Sequence, residues 1–220
     1  MSNLFNLDNW FMQMLAKVAD IIIVSIMWIV LSLTIIGFGP ASTAAYYAVA
    51  KSVRRDRGGV IQEFWNALKS NFWKSVALEL VVFFFAASLF FFDFAEIANV
   101  ILNGQQISTG EAVFSIVKVI LFFGIALYVF PIQSRFQMKF VHVIFTSLVL
   151  IVRHLFITLV SLLALISVIF ICVVYPYLAF IVPGIWFYIL SFPMERILLQ
   201  LVPDEDREDS DQIDQWYLEK

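Results

Sequence analysis

The stretch Val76-Ala77-Leu78-Glu79-Leu80-Val81-Val82-Phe83-Phe84-Phe85-Ala86-Ala87-Ser88-Leu89-Phe90-Phe91-Phe92 decides the fold, and Glu79 is its only charge. It has none of the apolar/polar alternation that a strand of a membrane barrel requires. As a helix it nearly bridges a hydrocarbon core, which takes roughly 20 apolar residues. Four more apolar blocks flank it, at about 18–36, 112–132, 155–174 and 178–194. The expected fold is therefore all-α, an integral membrane helical bundle of five spans forming one membrane domain over 1–202. Composition agrees: the 220 residues are 62% hydrophobic and 14% charged, against about 25% charged in soluble domains.

The remaining charge is unevenly placed. Residues 203–220 hold eight acids and two bases, a net −6, so the other 202 residues carry +3 of the overall −3. The tail is expected to be a disordered cytoplasmic extension. No basic face is interleaved with stacking aromatics, which argues against nucleic-acid binding. Cys172 is the only cysteine, so no intrachain disulfide can form.

Short cytoplasmic loops are enriched in Lys and Arg. Segment 37–75 has Lys51, Arg54, Arg55, Arg57, Lys69 and Lys74 against Asp56 and Glu63. Connection 93–111 has no base, 133–154 has Arg135, Lys139 and Arg153, and 175–177 is uncharged. This alternation predicts a multi-pass membrane protein with its N-terminus outside and its C-terminus cytoplasmic. The stretch Leu4–Leu15 reads as interfacial. A cleaved signal peptide ending near Ala41-Ser42-Thr43-Ala44 is the rival reading, but the preceding run exceeds a typical apolar region and its start is not basic.

Within segment 37–75, Gly37, Gly39 and Pro40 form the expected helix break, because Pro removes a backbone donor and restricts the residue before it. Pro40 then suits the first turn of a second helix, Ala41 to about Arg54, too short to cross a bilayer at about 21 Å. Its small residues and Tyr46-Tyr47 suit packing against other helices near the headgroups. After the charged turn Arg54-Arg55-Asp56-Arg57-Gly58-Gly59, the residues Ile61, Phe64, Trp65, Leu68 and Phe72 recur at helical spacing. They predict an amphipathic helix along the inner interface before the second span. Two readings compete for this pair: anchoring in membrane lipid, or a docking surface for a partner. Both use Arg54, Arg55, Arg57, Phe64, Trp65, Lys69, Phe72 and Lys74. Connection 133–154 is a weaker echo, with Phe136, Phe140, Val143, Ile144 and Leu148 on one helical face.

Gly39-Pro40, Ala44-Ala45-Tyr46-Tyr47, Phe64-Trp65 and Lys69-Ser70-Asn71-Phe72-Trp73-Lys74-Ser75 resemble the YesL-type family of bacterial integral membrane proteins, built around a domain of unknown function. The resemblance is strongest over 1–95. It implies an accessory role in sugar uptake or sensing, because members are known mainly from carbohydrate-utilisation gene clusters. There they lie beside importers of the ATP-binding-cassette type and sugar-responsive sensor kinases. The family offers no catalytic residues to carry over.

Ionisable residues inside spans are functional candidates by default, and Glu79 and Lys118 are two such residues. They sit at opposite expected depths, so each is read as reaching its nearer interface. If Glu79 has a partner, Lys74, Arg135 or Arg153 is expected. His142 and His154 lack metal-pair spacing, so no metal or cofactor is expected. Ser161 and Ser167 have no base at helical spacing to activate them. The predicted function is that of a non-enzymatic membrane accessory protein, partner of a sugar importer subunit or sensor kinase. The alternative is a small-solute transporter or channel subunit using Glu79, Lys118 and helix breaks at Pro131, Pro183, Gly184 and Pro193. Sequence does not set the oligomeric state.

Overall fold

The computed structural model describes residues 10–103, 109–136 and 138–201, with the backbone alone at 89–90, 92–103 and 112. The acidic tail and residues 1–9 of the N-terminal stretch lie outside the described residues. Every described element is helical: α1 Trp10–Ser32, α2 Phe38–Ala48, α3 Val60–Asn103, α4 Thr109–Arg135, α5 Phe140–Arg153, α6 Leu155–Val174 and α7 Val182–Leu198. Five are long and apolar enough to cross a membrane, namely α1, α3 over Val60–Ser88, α4, α6 and α7 with its extension to Leu201. The all-α membrane bundle expected from sequence is the architecture found.

The first departure is at the helix break. Helix α1 stops at Ser32, and Ile35–Gly37 forms a 3-10 turn in which Gly37 N–H donates to the Thr34 carbonyl at 2.9 Å. Pro40 falls in the first turn of α2, where a missing N–H breaks no helix bond. Gly39 is not part of the break. It is the close-packing point between α2 and α3, since a Cβ there would lie 2.8 Å from Glu79 Cβ and 2.9 Å from the Ser75 carbonyl oxygen.

The second departure concerns α2. The helical path continues from Ala48 through a π-turn, Val49–Val53, and every residue from Gly39 to Ala50 is buried. A helix expected near the headgroups is the centre of the fold, packed mainly on α3 and also on α1, α4 and α7. Small side chains allow that approach, and hydroxyls link the surfaces. Trp28 Nε1 donates to Ser42 Oγ at 3.0 Å, and Ser75 Oγ donates to Thr43 Oγ1 at 3.0 Å.

Third, no separate interfacial helix precedes the second span. Val60–Asn103 is one helix of 44 residues, about 66 Å long at 1.5 Å per residue. The expected apolar stripe splits: Phe64 and Leu68 are buried, Phe72 is half-buried, and Ile61 and Trp65 face outward. A stripe of i, i+3, i+4 residues can turn to protein as readily as to lipid, and here α2 takes it.

Other differences are smaller. Pro176–Phe180 forms a 3-10 turn, which moves the start of the last span from Leu178 to Val182. Neither Pro131 nor Pro193 ends its helix, and Pro183 and Gly184 lie in the first turn of α7. The echo at 133–154 contains the helix α5, with Val143, Ser147, Leu150 and Ile151 buried.

Candidate functional site

Antiparallel packing of α2 on α3 brings the basic turn back beside α1, where Lys17 Nζ meets Asp56 Oδ2 at 2.9 Å. Asp56 and Gly58 both have positive φ, 55° and 74°. Gly58 suits that backbone, and a Cβ there would also lie 2.7 Å from Glu63 Oε1, so the tight reversal needs glycine. Beside it, Lys51 Nζ donates to Glu63 Oε2 at 2.8 Å, with 13% of each side chain exposed. Lys51 lies in the π-turn. Burial depresses its ammonium, but the Glu63 carboxylate and the Tyr47 hydroxyl outweigh that and hold its pKa above the ordinary lysine range. Burial likewise pushes the Tyr47 hydroxyl up, against the lowering effect of Lys51.

The centre of the site is Glu195, near the end of α7 and 1% exposed. Its Oε2 accepts from Arg135 Nη1 at 2.8 Å and from Arg55 Nη2 at 3.0 Å. Its Oε1 accepts from the Tyr46 hydroxyl at 3.1 Å. Arg54 Nη1 donates to the Ser191 carbonyl at 2.8 Å and its guanidinium lies over the Phe192 ring at 4.7 Å. One carboxylate thus joins α2, the turn after it, α4 and α7. Charge-assisted hydrogen bonds of this kind are stronger than neutral ones, and the low-dielectric surroundings make each partner costly to remove.

The sequence-predicted residues divide accordingly. Arg54 and Arg55 turn inward to α7, and Phe64 and Leu68 pack in the core. Arg57, Trp65, Lys69 and Lys74 lie on the outside. Glu79 is 2% exposed and takes none of its expected partners, because Arg135 pairs with Glu195. Its carboxylate faces the first backbone N–H groups of α2, those of Phe38 and Gly39, but outside hydrogen-bond geometry. Lys118 is elsewhere, with Nζ 5.1 Å from the Phe114 ring centroid. Glu79 and Lys118 do not form one site.

Sequence reasoning missed Tyr46 and Glu195 as site residues. The signal for Glu195 was present, since it is the only acid between Leu155 and Leu201, but beside Arg196 at a span end it reads as an interfacial charge. Among the described residues no three His, Cys, Asp or Glu side chains gather as metal ligands.

Five helices long and apolar enough to cross a membrane make this a multi-pass helical membrane protein, with the ion cluster inside its bundle. Residues 21–94 match the family described as "Protein of unknown function, DUF624", the domain family to which YesL-type proteins belong, so the YesL-type resemblance holds over this region. The matched residues run from α1 through α2 into α3, the hairpin and turn that carry the basic cluster. No curated protein and no solved structure matches the chain.

Proposed function

We propose that the protein is a non-enzymatic accessory subunit of the bacterial plasma membrane that acts in carbohydrate uptake. Its partner would be an ATP-binding-cassette sugar importer or a sugar-responsive sensor kinase. The observation that carries this reading is the division of the basic segment. Arg54 and Arg55 tie the turn to α7, while Arg57, Ile61, Trp65 and Lys69 are exposed along the turn and the start of α3. Exposed aromatic and basic side chains on a preorganised support suit a docking surface. The partner class comes from the YesL-type resemblance.

The Lys17–Asp56 pair favours a revised orientation. With α1 and α2 forming a hairpin, the N-terminal half of α1 and the basic turn lie at one face. By the enrichment of Lys and Arg in cytoplasmic loops we place both at the cytoplasmic side, in place of an external N-terminus.

A photo-crosslinking side chain at Arg57 or Lys69, in cells grown on inducing sugars, is expected to capture an importer or kinase subunit. If both positions yield only lipid and the protein itself, the accessory reading fails. The buried, unpartnered carboxylate of Glu79 favours a second reading, a small-solute transporter or channel subunit. Solute flux in proteoliposomes that disappears in Glu79→Gln would support it, and absence of flux would remove it.

A further inference from the structure

A cleft of about 540 Å³ opens between α3 and the α4–α5 connection, lined by Trp73, Lys74, Ala77, Gln133, Met138, Lys139 and Phe140. Lys74 and Lys139 are both exposed, so two ammonium groups flank one opening, and among the described residues no carboxylate lines it. Gln133 is 1% exposed, and its Nε2 has no hydrogen-bond partner among the described residues. Buried amide donors are nearly always paired, so an unpaired one in the wall of the cleft stands out.

The position of the cleft along α3 identifies the class of ligand. Below it the outward residues are mixed, with Gln62, Trp65, Asn66, Lys69 and Ser70 exposed. Above it they are apolar: Ala77, Leu80, Phe83, Phe84 and Phe85. Helix α5 begins with the same change, since Lys139 and His142 are followed by Phe145, Val149 and Val152 before the exposed Arg153 ends it. The two lysines therefore sit where both helices pass from a polar to an apolar outer surface, as residues do at headgroup level. Trp73, 79% exposed, has the amphipathic ring that such a boundary favours.

The geometry points to a binding site for an anionic phospholipid, with its phosphate between Lys74 and Lys139, an oxygen toward Gln133 Nε2, and an acyl chain along Ala77, Met138 and Phe140. A free phosphate would use the lysines but not the apolar wall. A zwitterionic lipid would use the wall while bringing its own cation to the lysines.

Native mass spectrometry of the full-length protein, released from detergent with equimolar phosphatidylglycerol and phosphatidylcholine, tests the assignment. Phosphatidylglycerol is expected to be retained preferentially, with a loss of about fivefold for each lysine in Lys74→Ala and Lys139→Ala. Lys69→Ala, outside the cleft, should leave retention unchanged. Ala77→Trp, which fills the apolar wall without changing charge, should also abolish the preference. All four positions are exposed, so the variants test binding and not folding. Equal retention of the two lipids, or an unchanged preference in the double lysine variant, would overturn the site. Displacement of phosphatidylglycerol by inorganic phosphate, with Ala77→Trp having no effect, would overturn the lipid assignment.

Discussion

Arg135 and Glu195, sixty residues apart, meet at 2.8 Å with 1% and 2% of their side chains exposed. Arg55 and Tyr46 complete the coordination of the carboxylate. The α4–α7 connection thus rests on a charge pair that water hardly reaches. Removing one member of a buried pair leaves the other unpaired in a low dielectric, a loss of about 3–5 kcal/mol. Glu195→Met and Arg135→Met are each expected to lower the unfolding midpoint in detergent markedly. The double variant should recover part of the loss, but not all, because Arg55 remains. Strict additivity of the two single effects would show that the pair is not coupled.

Gly39 supplies a packing prediction with an internal control. Gly39→Ala forces a Cβ to within 3 Å of α3 and is expected to cost about 1–3 kcal/mol, as overpacking does. Gly59→Ala meets no atom within 4 Å and should be close to neutral. Thermal unfolding of both variants in one detergent decides, and equal midpoints would contradict the close approach of α2 to α3.

The Lys51–Glu63 pair predicts a response at high pH. The folded-state pKa of Lys51 is raised from 10.5, so its stabilising contribution is complete below the ordinary lysine value and lost as pH rises through the folded-state value. The wild type should therefore lose stability above about pH 10.5 more steeply than a Lys51→Met/Glu63→Gln variant. Parallel curves for the two proteins would remove the pair from the account.

Sidedness can be read from thiols. With Cys172 replaced by Ser, single cysteines at Lys17 and at Asp56 should react with a membrane-impermeant maleimide from the same side, the cytoplasmic one. Labelling of the two positions from opposite sides would break the α1–α2 hairpin.

The sequence was most informative where hydropathy alone decides. The fourth span, Leu155–Val174, has the boundaries that its apolar run implies. It was least informative where a residue's partner is distant in the chain. Nothing local distinguishes Phe64, which is buried, from Trp65, which is exposed, because both fit one amphipathic stripe and only the position of α2 separates them. Ala41–Ala50 reads as peripheral because its helix is too short to cross a bilayer, yet its small side chains let it occupy the centre. Arg55 and Arg135 read as loop charges until Glu195 is brought to them by α7. The Lys17–Asp56 contact spans 39 residues and leaves no pattern in the sequence around either member.

The burial of α2 sets an order of assembly. Its sequence, rich in Ala, Ser, Thr and Tyr, gives a nascent helix little reason to partition into lipid by itself, and apart from α1 its walls are supplied by α3, α4 and α7, all synthesised later. Before Val60 and the helices after it have been made, only α1 could cover Phe38–Val53. The helix reaches its seat only after the chain that encloses it has been made, and Glu195, near the end of the last span, closes the enclosure.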